Sequence, residues 1–323
     1  MVQSAQSADP AASAPPPASY RLGFAVRTVG RPGLNGGAPG DLSIALARLG
    51  DVLAYLQQLK VRFYRAAFAM SGADFSAQIA DCEAQLAVLA VSLARSNTRI
   101  TLHLDHGVAL GSPDDTQAAD ALLEVEAAAH LLAALDSARP PGMPEGTLVV
   151  HVGGAGPAGR ERFVQRYHAL SANAQRRLSV EHDGAGHSLG DLLSLHQQCG
   201  VPIVFDALHW ELHNPERLSL DLALGLALAT WPAGMRPEVH LSSPRSEAHL
   251  LPGRTGAPAR VLPPRPGQHA DFIDAAALVR LLTAARGLPP FDIMLEAKAG
   301  ELALLRLREE VAQRAPQLAG RMW

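Results

Sequence analysis

The chain has 323 residues, 48% of them hydrophobic, and 28 basic against 31 acidic side chains, a formal net charge of −3. That is enough apolar material for one β/α barrel of ~250 residues, and the charge does not announce a nucleic-acid binder, so any such contact must come from local basic patches. No stretch approaches the roughly 20 apolar residues of a membrane span, and two distant cysteines, Cys82 and Cys199, make a disulfide framework unlikely and suit a reducing cytoplasm.

Residues 1–20, MVQSAQSADPAASAPPPASY, lack the basic start and apolar run of a signal peptide. They read as a disordered Pro/Ala/Ser-rich tail outside a folded unit spanning 21–323. A strand over 21–27 leads into RTVGRPGLNGGAPG, which has glycines without GxGxxG spacing and reads as a mobile loop. A helix over 41–59, a strand over 61–68, a helix over 74–95 and a strand over 99–105 follow. The next helix starts at Ser112, with Ser as N-cap, Pro at the first position and acids in the first turn. Then come a strand over 146–154, a helix over 159–177, and strands over 178–183, 201–209, 238–243 and 291–299, each followed by a helical pattern. Eight βα units without a composition break predict an α/β fold, a single-domain TIM-type (β/α)8 barrel. A doubly wound open sheet is the alternative. The connection 244–268 is long and rich in Pro, Gly and Arg; such loops are often functional, and it reads either as a phosphate-contacting or as a solvated segment.

Imidazoles and carboxylates recur at the ends of these strands: His103, His151, Glu181, Asp206 with His209, Glu238 with His240, and Glu296, with His269 on a loop. In a TIM barrel the C-terminal strand ends form the catalytic face. So many polar groups converging there are too costly to bury without a compensating charge. Divalent metal is the natural compensation, and imidazole with carboxylate suits Zn, Mn or Fe.

The blocks FYRAAF, LHLDHGVALGSP, HVGG, VEHD, FDALH, VHLSSP and MLEAK, in unbroken order, resemble the UV damage endonuclease family. That family consists of TIM barrels in the same broad group as apurinic endonuclease IV and xylose isomerase. The resemblance implies hydrolysis of the phosphodiester 5′ to a UV-type lesion in damaged double-stranded DNA, by two or three divalent ions, most often manganese. It implies a first metal on His103, His151 and Glu181, and a second on Glu181, Asp206, His240 and Glu296. A third would rest on His209 and His269, with Glu238 where the family has a carboxylated lysine. Glu181, Glu296 and Lys298 would serve catalysis, with Lys298 on the scissile phosphate. Arg65, His106, Arg254, Arg260 and Arg265 would contact DNA, and a monomer suits that task. The family probes damage with a Gln-aromatic pair; here those positions read His106 and Gly107, so lesion recognition is expected to differ. Two other functions fit the same barrel: a sugar isomerase or epimerase-like metalloenzyme, and a weakly catalytic damaged-DNA-binding protein.

Overall fold

The computed structural model describes residues 19–31, 34, 41–68, 75–142, 144–253, 258–265 and 267–322. Residues 1–18 of the expected tail and Arg254 lie outside them. The strands are β1 (Leu22–Ala25), β2 (Phe63–Ala66), β3 (Arg99–His103), β4 (Thr147–Val150), β5 (Leu178–Glu181), β6 (Ile203–Asp206), β7 (Glu238–Leu241), β8 (His249–Leu251), β9 (Arg260–Leu262) and β10 (Asp292–Leu295). All but β8 and β9 pair in parallel and close into a barrel, running β1 to β7 and then β10 back to β1. Parallel strands covered on both faces need apolar side chains, and LVV, IVF and IML supply them.

The covering helices are α1 (Leu42–Gln58), α2 (Phe75–Asp81), α3 (Glu83–Ser96), α4 (Asp115–Asp136), α5 (Gly156–Ala169), α6 (Ala172–Arg177), α7 (Leu189–Cys199), α8 (Ala207–Leu212), α9 (Leu220–Ala229), α10 (Ala275–Ala284), α11 (Glu301–Arg314) and α12 (Pro316–Ala319). In α1, Leu42, Leu46, Leu49, Leu53 and Leu56 recur at helical spacing and form its buried stripe. Asp41 starts that helix by accepting the Ser43 and Ile44 amides. Among the described residues no single helix is long and apolar enough to cross a membrane.

The structure revises several expectations. The helix expected over 74–95 breaks at Cys82 into α2 and α3. The bend buries Phe75 and lets the Gln78 side chain accept the Leu42 amide at 2.9 Å. The helix expected over 159–177 breaks before Ser171, whose amide and hydroxyl are held by Glu126 while its oxygen caps Ala174. The N-cap after β3 is Asp114 rather than Ser112: its carboxylate takes the Thr116 and Gln117 amides, and the Ser112 hydroxyl accepts from Asp114 instead. The stretch 27–31 of the supposed mobile loop is pinned, because buried Glu301 accepts the Val29 and Gly30 amides at 2.8 and 2.6 Å. Gly300 permits that approach: it has φ +53°, and a Cβ there would lie 2.0 Å from the Arg27 carbonyl. Finally, the connection 244–268 carries an antiparallel hairpin, β8 with β9.

The barrel interior is not filled by aliphatic layers alone. Asp292, fully buried at the start of β10, receives Arg21 at 2.9 Å, Arg99 at 2.8 Å and Arg236 at 2.6 Å. Arg99 also lies over the Phe63 ring. Its other arm donates to Thr147 and approaches Glu238 at 3.5 Å, so one guanidinium links the barrel floor to the layer beneath the polar mouth. Removing one partner of a buried ion cluster strands the others, at a cost of about 3–5 kcal/mol. Asp292→Asn should lower the urea unfolding free energy by about that amount; a loss under about 1 kcal/mol would show that the arginines find other partners.

Candidate metal centre

Closing the barrel brings the strand ends β3 to β7 and β10 around one carboxylate. Glu181, the last residue of β5, is 1% exposed. His103, at the end of β3, sets Nε2 at 2.7 Å from Glu181 Oε2. Its Nδ1 faces the Leu104 carbonyl at 2.9 Å, so the proton belongs there and Nε2 is left for a ligand. His151, directly after β4, holds Nε2 at 3.7 Å from the same oxygen. On the other side, His240 of β7 approaches Glu181 Oε1 at 3.0 Å and His209 of α8 at 3.3 Å. Asp206 ends β6 and spends one oxygen capping α8 through the His209 amide at 2.7 Å. Glu296, just after β10, has Oε1 at 3.5 Å from His240.

Two ligand sets emerge, His103 with His151 and Glu181, and Glu181 with Asp206, His240 and Glu296; in each, one ligand atom per residue lies within 4.8 Å of all the others. Glu181 belongs to both. Glu181 Oε1 and Asp206 Oδ2 are buried acceptors without a partner in hydrogen-bond geometry, although His240 Nδ1 lies 3.0 Å from the former and His103 Nε2 contacts Glu181 Oε2 at 2.7 Å. Unpaired buried acceptors of this kind are costly unless a cation completes them. A mixed imidazole and carboxylate donor set fits divalent transition ions, so the residues present fit the metal that the sequence implies.

The electrostatics agree. Burial works to raise the Glu181 carboxyl, yet the His240 charge and contacts from His103 and His209 hold it well below the usual carboxylate range. Burial opposes protonation of His209 and His240, but the carboxylates beside them push both up to about 10. Burial drives His182 down to about 3, so its neutral Nε2 accepts the Asp206 amide at 3.1 Å. Burial raises the Asp206 carboxyl to about 7 against the pull of His209. These carboxylates and imidazoles are tuned by each other far more than by water.

The structure gathers some expected residues and separates others. His103, His151, Glu181, Asp206, His240 and Glu296 converge, with His209 beside Glu181 and half-buried His269 at 3.7 Å from Glu296. Glu238 does not join His209 and His269. It is completely buried one layer down, where Thr101 and Thr147 donate to one oxygen at 3.0 and 2.9 Å and His240 Nε2 faces the other at 3.2 Å. Both of its oxygens are thereby engaged inside the barrel, with Arg99 at 3.5 Å and Arg65 at 3.9 Å as the nearest cations. Arg65, expected on DNA, is also turned inward: its guanidinium pairs with Glu296 and sits 2.6 Å from His240 Nε2. Lys298, Arg27 and His106 line the open cavity of about 620 Å³ above the cluster, and the His106 ring stacks on His151 at 4.3 Å. Arg260 and Arg265 lie exposed in the segment carrying the hairpin.

Sequence reasoning assigned no role to Asp183. It lies 2.7 Å from His151 Nδ1 and so orients that ring. The signal was the alternation that puts Glu181 and Asp183 on one face of the strand.

Comparisons with known proteins bear on this arrangement. A family model described as UV-endonuclease UvdE matches residues 44–317. The UV DNA damage endonuclease of Bacillus velezensis is 32% identical over 168 residues, 50% of this chain and 48% of that protein. The chain thus aligns with about half the length of that curated relative. The crystal structure of SacUVDE superposes with a TM-score of 0.73 at 22% identity, covering 91% of this chain and 98% of that one. An L-ribulose 3-epimerase follows at a TM-score of 0.54 and 15% identity, covering 86% and 81%. Both structural likenesses speak for the barrel fold alone.

The geometry makes a direct prediction about metal content. Elemental analysis of protein dialysed after manganese loading should find two equivalents, and His151→Ala should lose the ion of the first set. Glu181→Gln, which touches both sets, should fall below one equivalent while the circular dichroism stays that of a folded barrel. Equal metal in all three proteins would show that ions bind elsewhere.

Proposed function

Because the chain belongs to the UV-endonuclease UvdE family, we propose that it is a metal-dependent endonuclease acting on damaged double-stranded DNA. It cuts the phosphodiester on the 5′ side of a UV-type lesion. The observation that carries this reading is the pair of ligand sets sharing Glu181 at the open mouth of the barrel. A mouth of this kind admits a backbone phosphate, and two adjacent divalent ions suit in-line displacement at phosphorus by neutralising charge on the attacking and leaving oxygens.

The chain's own residues divide the remaining work. Glu181, held ionised by His240, His103 and His209, would serve both ligand sets when metal is bound. Asp206 and Glu296 add negative charge on the far side, and His103 and His151 present Nε2 while their Nδ1 atoms face the Leu104 carbonyl and the Asp183 carboxylate. Lys298 and Arg27, both at the cavity rim, hold the scissile phosphate and its neighbour by charge. Arg65 keeps Glu296 ionised near about 2, its charge overcoming the burial that works to raise that carboxyl. It is a positioning residue. Manganese is the ion favoured for the site, with zinc or iron as alternatives.

Incision of end-labelled duplexes tests the reading. Wild-type protein with manganese should nick a UV-irradiated duplex and leave undamaged duplex intact, and chelation should stop the reaction. Glu296→Gln should lower the rate by about 100-fold or more with the fold preserved. Incision near the wild-type rate would place the chemistry elsewhere. Binding of damaged duplex without any nick would favour the accessory-protein reading, and manganese-dependent epimerisation of a ketose without DNA cleavage would favour the sugar enzyme.

A further inference from the structure

The hairpin inserted after β7 is exposed in a way the other strands are not. Leu250 pairs opposite Val261, and the two are 68% and 65% exposed. Directly opposed residues project from the same face of a ribbon with their Cβ atoms about 5 Å apart. The neighbouring pair, Leu251 opposite Arg260, projects from the reverse face. One side of the ribbon thus carries the exposed pair Leu250 and Val261, and the other carries Arg260 beside Leu251, which is 44% exposed. No barrel strand joins this two-stranded sheet. Isolated ribbons of that size are marginal in water, and the exposed aliphatic pair is free to meet an apolar partner surface.

The base of the ribbon is fastened to the metal cavity. Pro244 bridges to His269, the Arg245 amide donates to the Gln268 carbonyl at 2.7 Å, and the Ala270 amide donates to the Ser243 carbonyl at 2.8 Å. Buried Arg245 also donates to the Pro263 carbonyl at 3.0 Å. Gln268 and His269 line the cavity itself. Leu250 lies five residues beyond Arg245, no more than about 17 Å along the chain. That is about five base-pair steps of B-form DNA at ~3.4 Å each. Between 246 and 265 the sequence has three arginines, of which Arg260 and Arg265 are exposed, against one acid, Glu247, in a chain whose overall charge is −3. Such a segment repels a second copy of itself and attracts a polyanion.

We propose that this hairpin is the duplex-opening wedge of the chain: Leu250 and Val261 enter the base stack beside the metal centre while Arg260 and Arg265 hold the flanking phosphates. Aliphatic side chains unstack base steps in this manner in other DNA-bending proteins. The assignment rests on the reading that the chain cuts damaged duplex, and it answers how it distorts DNA when His106 and Gly107 offer no apolar wedge. The hairpin reads unstacking cost, so lesions that weaken stacking are favoured substrates.

The test is the double substitution Leu250→Ser with Val261→Thr, at two exposed positions outside the metal cluster. Manganese content and thermal midpoint should match wild type. Incision of a duplex carrying one cyclobutane dimer should fall about tenfold or more, reflecting unstacking left undone. The same lesion inside a mismatched bubble, where the stack is already open, should be cut at the wild-type rate. A 2-aminopurine base beside the dimer should brighten on binding wild-type protein and stay dark with the variant. Equal incision and equal fluorescence in the two proteins would overturn the wedge and leave the nuclease intact. Equal loss on the bubble would also overturn it, since the hairpin would then serve general binding. A wild-type dimer that the substitutions make monomeric would show that the face belongs to a second copy. Failure of wild-type protein to cut any substrate would bring down the nuclease reading, and the wedge with it.

Discussion

Burying the Glu181 carboxylate requires positive charge and hydrogen-bond partners around it, and four imidazoles surround it: His209 from α8 and His240 from β7, both pushed up to about 10, with His103 from β3 and His151 after β4. The requirement runs downward as well. His240 meets Glu238, Glu238 meets Arg99, and Arg99 meets Asp292, so charges alternate along the barrel axis from mouth to floor. Each group is buried, and each is affordable only because its neighbour has the opposite sign. The barrel therefore cannot relax its interior without disturbing the site, and the site inherits the rigidity of the barrel.

That column also separates the residues of the two candidate ligand sets from the residues that pair with them. Glu238 shares a strand face with His240, yet its two oxygens are committed to threonine hydroxyls and to the imidazole above it. Arg65 supplies the positive charge that lets Glu296 remain ionised under cover. Above them the cavity opens, and its lining carries the cations Lys298 and Arg27. The candidate ligand sets sit at the top of the column and their counterions below.

Much of this was legible in the chain itself. Strand-end histidines and acids mark the catalytic face because side chains alternate and barrel strands share one direction, and the eight βα units follow from hydrophobic period. What escaped notice was burial without function. Arg21, Arg99 and Asp292 begin their strands with charges that look like surface residues at the entry to a strand, and only closure of the barrel brings them together. Glu238 misled for the converse reason: it stands at a ligand position by order, and depth along the strand is not visible in order. The breaks at Cys82 and before Ser171 depend on tertiary partners, Leu42 and Glu126, that no local pattern announces. The hairpin β8–β9 was hidden in a Pro-rich stretch because its strands are three residues each, too short to show alternation.

The central claim is that the buried charge at the mouth is completed by cations shared through Glu181. Anomalous diffraction at the manganese edge from crystals of the manganese-loaded protein tests it most directly. Two peaks are predicted, one among His103, His151 and Glu181 and one among Glu181, Asp206, His240 and Glu296. A map with no peak in the cavity, or with manganese coordinated by Glu238 in place of Glu181, would contradict it.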